Sequence, residues 1–312
     1  MEETFSSVFA VFDYLKTKGW NGFYHTAPCF EVMQLAENQL AACPMPMSPL
    51  YRGQSAMYSP CKPSLYRKEW TKEQLIERQI QLIDFKAILQ DNPQIKDLEK
   101  EGLLVNYEAL AQHYGIATNM MDMTNSPLVA AFFATTRYDE ASDSYYPILH
   151  TVSKGVIYFT PSGAMLNFSE KDRIWPIGQE VLRRPGEQRA YAMVMEKYSD
   201  FNRLKHFTFW QNPESSLRVW KYAQGAQLFF PFDPMAEKVR VMKKYRIYSL
   251  DGLKRAYELN KDFADSFEKA RQIMENSGCT FVNHLPFSYT IGEICYITDV
   301  YHKMYPGSFN ED

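Results

Sequence analysis

Apolar residues recur at helical spacing between Thr4 and Lys18, where Phe5, Val8, Phe9, Phe12 and Leu15 form one stripe and Gly19 can close the helix. The pattern predicts a second, shorter helix from Glu31 to Ala42, ended by Cys43-Pro44-Met45-Pro46. Leu50 to Gln54, preceded by prolines, reads as a short strand. Thr71 is a good N-cap for a long helix, with Glu73 and Gln74 in its first turn and Ile76, Ile80, Ile83, Ala87 and Ile88 on its buried stripe. Asn92-Pro93 ends it. A further helix covers Tyr107 to Tyr114, with Gly115 as its left-handed cap. Ser126-Pro127 then supplies the N-cap and first-turn proline of a helix through Thr135.

Downstream the character changes. Asp139 to Ser144 is the clearest surface loop, and Gly155 to Phe159, Arg203 to Trp210, Gln227 to Phe232 and Arg240 to Tyr248 are strand candidates. Asp251 to Asn276 reads as one long helix. Helices come first and strands later, without regular alternation, which fits an α+β class. The expected architecture is a helical N-terminal part, a mixed or antiparallel sheet region, and a long C-terminal helix. The expected division is an N-terminal helical extension over 1–47, a core domain over 48–235, and a C-terminal strand and helical extension over 236–312 packed on the core. Neither an internal repeat nor a low-complexity linker is visible.

With 312 residues, 46% hydrophobic and 15% aromatic, the chain can bury a substantial core, which argues against disorder. A formal charge of -3 gives no general electrostatic reason to bind nucleic acid or an anionic membrane. Tyr66-Arg67-Lys68-Glu69-Trp70 interleaves basic and aromatic residues, but its place just before a helix favours packing. The start, Met1-Glu2-Glu3-Thr4, lacks a basic region and a long apolar core, and no apolar run approaches the roughly 20 residues of a bilayer span. The expectation is a soluble, cytoplasmic protein. Cys29, Cys43, Cys61, Cys279 and Cys295 are odd in number and widely spaced, so they read as buried thiols with neither a disulfide framework nor a zinc site.

Three polar clusters stand out. Arg52 on a strand edge next to Gly53 can grip a diphosphate bidentately, the glycine letting a ligand approach the backbone, or it can pair with a carboxylate such as Asp122. Gln112, His113 and Tyr114 fall on a helix, where successive residues point about 100° apart, so they cannot all face one pocket. His113 serves either as a catalytic base or as a structural polar group. Asp122, Thr124 and Ser126 face one way if their segment is extended, and a buried Asp122 needs an arginine or backbone donors. Ser126 also reads as a helix cap. Gly-x-Gly-x-x-Gly, Gly-x-Ser-x-Gly and P-loop motifs are all missing.

Tyr51-Arg52-Gly53-Gln54, Ala111 to Thr118 and Met121 to Leu128, in that order, resemble the FRG domain, a family named for its Phe-Arg-Gly motif. Tyr51 stands for the Phe. The family's middle segment usually reads Thr-Arg-Leu-Leu-Asp-Trp-Thr; here Asn119 replaces the arginine and Met123 the tryptophan. A third signature, an arginine followed by Gln-x-Gly-x-Phe, is met in part by Arg183 to Ala192, with Ala190 in the glycine's place, or by Ala223 to Pro231. The resemblance spans residues 48 to 235. FRG domains are distantly similar in motif order to ADP-ribosyltransferases, which bind NAD in a cleft between two small sheets. That resemblance implies Tyr51, Arg52, Gly53, Gln54, Gln112, Tyr114, Asp122, Thr124 and Ser126 as the dinucleotide-binding set. Arg52 would take the diphosphate, Tyr114 would stack on nicotinamide, and Thr124 or Ser126 would hold the ribose. Glu187 or Gln188, with Gln224 as a substitute, would act on the transferring sugar, and His113 is a further catalytic candidate. NAD as a substrate, a nucleotide ligand and a protein acceptor follow from the same resemblance. A non-catalytic module binding a nucleotide or a protein stands as its alternative.

Overall fold

Capping residues mark most helix starts in the computed structural model, which describes residues 4–20, 30–45, 49–161, 174–177 and 182–304. Met1 to Glu3 and Cys29 lie outside the described residues. Strand β1 (Thr4–Phe5) leads to helix α1 (Val8–Thr17), capped by Ser7. Strands β2 (Phe30–Ala36), β3 (Gln39–Pro44) and β4 (Pro49–Gln54) follow. Thr71 forms a capping box with Gln74 at the start of α2 (Lys72–Leu89), Asn92 caps α3 (Pro93–Lys100), and Asn106 caps α4 (Tyr107–His113). Strand β5 (Met120–Thr124) runs into α5 (Pro127–Thr135) through the Ser126 cap.

Strands β6 (Thr136–Asp139), β7 (Ser144–Pro147), β8 (Lys154–Pro161) and β9 (Ile174–Pro176) precede the short α6 (Arg183–Glu187), β10 (Ala190–Val194) and β11 (His206–Trp210). The chain continues through α7 (Pro213–Tyr222), α8 (Pro234–Tyr245), β12 (Ile247–Ser249) and α9 (Leu250–Leu259). It then forms α10 (Phe267–Asn276), β13 (Thr280–Val282) and α11 (Ile291–Met304). The class is α+β. None of the described helices is long and apolar enough to cross a membrane.

Two units emerge. The first takes residues 1–33, 42–63 and 119–232 and is built on a seven-stranded mixed sheet of order β1-β11-β8-β4-β5-β10-β9. Only the β1–β11 pair among these neighbours is parallel. Alternating residues of its central strands enter two cores. Tyr51, Ile157, Phe159 and Phe209 pack with Val8, Phe12, Val129, Phe132 and Val219 from α1, α5 and α7. Leu50, Met121, Met123, Tyr158 and Tyr191 pack with Cys61 and Phe201 on the opposite face. Each such fully buried apolar side chain contributes about 1.5–3 kcal/mol.

The second unit takes residues 34–41, 64–118 and 233–312. Helix α2 packs there with α4, α8, α9, α10 and the parallel β12–β13 pair. Asp84 accepts hydrogen bonds from the Ser249 N–H at 2.8 Å and the Ser249 hydroxyl at 2.5 Å, tying α2 to the start of α9. Burial pushes the Asp84 carboxyl up to about 6, opposed by those two hydrogen bonds. Glu77 pairs with Arg246 at 2.7 Å and accepts the Tyr248 hydroxyl at 2.7 Å.

Several sequence expectations are corrected. Residues 4–5 are strand rather than the first turn of a helix, because Ser7 caps α1 three residues later than the stripe begins. Glu31 to Ala42 is the β2–β3 hairpin and not a helix: Asn38 turns the chain at φ 119°, and Leu40 bonds to the backbones of Gly102 and Leu104, a pairing outside any local window. Asn92-Pro93 opens α3 instead of closing α2. Gln227 to Phe232 is irregular, following three consecutive positive-φ residues, Gln224, Gly225 and Ala226. Residues 240–245 belong to α8, whose Asp233 cap and Pro234 are a helix signal, and only Ile247–Ser249 is strand. The single long helix over Asp251 to Asn276 is two helices, broken where Ser266 caps α10. Of the cysteines, Cys61 and Cys279 are buried, Cys43 is half-buried and Cys295 is exposed.

Candidate functional site

Strands β4 and β5 meet at one paired position, Tyr51 with Thr124. Past it β4 stays paired to β8, with Arg52 opposite Tyr158 and Gly53 opposite Ile157, while β5 stays paired to β10, with Asp122 opposite Ala192. The sheet therefore divides between Arg52 and Asp122. Arg52 reaches across the division: its Nη1 donates to the Asp122 carbonyl at 2.7 Å and lies 3.9 Å from Asp122 Oδ2. The Arg52 side chain is 15% exposed and that of Asp122 38%, so this ion pair borders solvent and adds little stability by itself. The guanidinium also lies 5.9 Å from the Phe201 ring.

Arg52 Nε is buried and has no hydrogen-bond partner among the described residues. A charged donor left in that state is costly within a protein, and an anion on the same edge of the guanidinium would satisfy it. Asn119, at the position of the family's arginine, likewise has a buried Oδ1 without a partner. Its backbone carbonyl is taken by the Met195 N–H at 2.9 Å.

The residues around Arg52 hold the fold. Tyr51 is fully buried, with ring centroids of Phe12 and Phe159 at 5.8 and 5.5 Å. Gly53 is required by α5: a Cβ there would lie 1.7 Å from the Ala130 carbonyl oxygen, so a helix backbone approaches this glycine. Gln54 is buried and accepts the Cys61 thiol at 3.5 Å. Cys61 in turn donates its N–H to Asp200 at 2.9 Å.

Strand β10 lies beside β5 and brings the third segment to the same region. Thr124 Oγ1 donates to the Gln188 carbonyl at 2.8 Å and accepts the Ser126 N–H at 3.0 Å. Ser126 Oγ accepts the Val129 N–H at 3.3 Å as the cap of α5. Gln188 Nε2 donates to the Phe229 carbonyl at 2.8 Å, which occupies its side chain in the structure. Glu187 differs. It is half-buried, accepts no hydrogen bond among the described residues, and burial raises its carboxyl above the usual range against the opposing charges of Arg189 and Arg183. Gln224 sits at φ 52° in the turn after α7.

Gln112, His113 and Tyr114 belong to the second unit. Gln112 Oε1 accepts the Thr118 hydroxyl, and His113 is the last residue of α4. Tyr114 packs on Phe85 at 5.6 Å and donates its hydroxyl to Asp233 at 2.7 Å. Arg184, inside the Arg183 to Ala192 segment offered as the third signature but given no role of its own, is buried over the Phe230 ring at 3.8 Å and pairs with Asp143 at 2.9 Å.

Residues 48–143 match the family model described as the FRG domain, so the chain contains an FRG domain whose matched segment begins just before β4. The comparisons with curated proteins and with solved structures gave no significant match.

Proposed function

We propose that this FRG-domain protein binds NAD at the division between β4 and β5 and transfers or hydrolyses off its ADP-ribosyl group. The observation that carries the reading is the Arg52 guanidinium, fixed by the Asp122 carbonyl yet left with a buried, unpartnered Nε that suits an anionic diphosphate. Supporting it, the strand order places Arg52, Asp122 and Glu187 on or beside three neighbouring strands, β4, β5 and β10. Of the two residues named for the late position, Gln188 is held by Phe229, which leaves Glu187 for the chemistry.

In the reaction the bond from the ribose anomeric carbon to the nicotinamide nitrogen breaks, and its electron pair leaves with neutral nicotinamide. The nucleophile, water or an acceptor side chain, forms the new bond to that carbon and gives up its proton. A carboxylate beside the sugar stabilises the positive charge that builds on it and can receive that proton. Glu187, with its raised affinity for a proton, suits both roles.

The test is the melting temperature of the protein with NAD, ADP-ribose or nicotinamide at concentrations reaching millimolar, beside Arg52→Ala. A ligand at about a hundred times its Kd stabilises by about 2.7 kcal/mol. A rise with NAD that disappears in a folded Arg52→Ala variant supports the reading. If none of the three ligands moves the wild-type midpoint, the reading fails. Binding without nicotinamide release would leave the FRG domain as a non-catalytic nucleotide module.

A further inference from the structure

Helix α6 is five residues long, too short to persist on its own, so the place of Glu187 at its end is set from outside the helix. Positions 184 and 188, four apart, share one face of this turn. Both side chains are buried, and both grip the same distant segment. Arg184 Nε donates to the Pro231 carbonyl at 3.0 Å, and its guanidinium lies 3.8 Å from the centre of the Phe230 ring. Gln188 Nε2 donates to the Phe229 carbonyl at 2.8 Å. Arg184 Nη2 also meets Asp143 at 2.9 Å, and that loop residue accepts the Tyr138 hydroxyl at 2.7 Å. The backbone is held as well. The Gln188 carbonyl accepts the Thr124 hydroxyl at 2.8 Å, and Thr124 is the residue at which β5 pairs with β4. Arg189 then turns at φ 48° into β10. Glu187 stands between these anchors, about 100° round the turn from Gln188, and accepts no hydrogen bond among the described residues.

We propose that Arg184 and Gln188 are positioning residues, which act on the reaction through Glu187 by fixing the turn that carries its carboxylate. The inference rests on the NAD reading given above and deepens it. A carboxylate stabilises a developing positive charge best when its place is set before that charge appears. Glu187 makes no bond that could set its own place, so the two buried side chains on either side of it do so. Displacing a reacting group by about 1 Å can cost about a hundredfold in rate. Through Asp143 the brace reaches the loop between β6 and β7, which ties the position of α6 to that hairpin.

The experiment measures nicotinamide release, and NAD affinity by calorimetric titration, for wild type, Gln188→Met, Glu187→Gln and the double variant. Methionine keeps the length of glutamine but has no N–H to give to the Phe229 carbonyl. Gln188→Met is expected to lower kcat about tenfold, to leave the NAD Kd within about twofold of wild type, and to cost nothing further once Glu187→Gln is present. Arg184→Lys, which lacks the planar fork that spans Asp143 and Pro231, is expected to behave in the same way and carries the test if Gln188→Met does not fold. A loss that recurs undiminished in the Glu187→Gln background overturns the inference, because the side chains would then serve the structure as a whole. An unchanged kcat in both variants overturns it too, and either result spares the NAD reading. Glu187→Gln at the wild-type rate removes the chemistry assigned to Glu187 and this inference with it, as does a wild type that binds NAD but releases no nicotinamide. Absence of NAD binding by wild type overturns both readings.

Discussion

In the second unit, several polar side chains answer one another. Asp84 holds Ser249 through two hydrogen bonds, Glu77 joins Arg246 and Tyr248, Tyr114 is bound to Asp233, and Lys238 meets both oxygens of Glu293 at 2.8 and 2.9 Å. In the first unit, the groups around the divided sheet are only partly answered. Among the described residues, Arg52 has a buried Nε without a partner, Asn119 an unpaired Oδ1 and Glu187 no hydrogen bond. Both units leave some buried polar atoms unsatisfied among the described residues, but in the second these include the neutral amides of Asn92 and Gln94, whereas in the first, one belongs to the charged Arg52 guanidinium. Unsatisfied buried polar groups cost stability, so a cluster of them points to a ligand, whereas a closed network points to structure.

Four substitutions can break or sharpen that contrast. Gly53→Ala should act hardest, because its Cβ would fall 1.7 Å from the Ala130 carbonyl and either β4 or α5 must move. A loss of about 3 kcal/mol or more in urea denaturation is expected. A variant as stable as wild type would mean that α5 does not rest on this strand. Glu187→Gln should next lower nicotinamide release about a hundredfold while leaving NAD affinity and the melting temperature close to wild type. An unchanged rate would remove Glu187 from the chemistry.

The second unit should respond in stability alone. Asp84 has a folded-state value of about 6 against an ordinary 3.8, so its contribution to stability is full below pH 4 and is lost as pH rises through 6. Asp84→Asn should match wild type near pH 4 and exceed it at pH 7.5, by up to about 2–3 kcal/mol. Denaturation curves of both proteins from pH 4 to 8 check the sign, and a variant weaker than wild type at pH 7.5 would contradict it. Thr71→Ala should have the smallest effect, about 1 kcal/mol from the lost cap on α2, with ligand binding unaltered. An effect on NAD affinity from either substitution would erase the distinction between the units.

What was legible along the chain was local. Helices with a capping residue and a periodic stripe emerged near their expected places: α2 behind Thr71, α4 ahead of the positive-φ Gly115, and α5 behind Ser126 and Pro127. The strand carrying Arg52 was readable too, as were β8 and β11, while the Asp122 segment was read as extended only conditionally. The β2–β3 hairpin was not, since Leu40 finds its backbone partners at Gly102 and Leu104. Helix α8 was legible from Asp233 and Pro234 but was masked by the strand-like reading of its charged end. At the candidate site, the Arg52 and Asp122 segments could be named in advance. That Gly53 receives a helix and Gln188 serves a carbonyl could not.

By itself, the sequence determined the residue types available to the site, the capped helices, the two-faced strands and the FRG motif order, because each depends on neighbours within a few positions. Only the tertiary structure decided which of those groups are satisfied. Whether Arg52 Nε, Asn119 Oδ1 or Glu187 meets a partner depends on strands and helices distant in sequence, and hydrogen bonding acts through space over about 3 Å. Pairing β5 with β4 at a single position leaves Arg52 at the division, and no local pattern records that register.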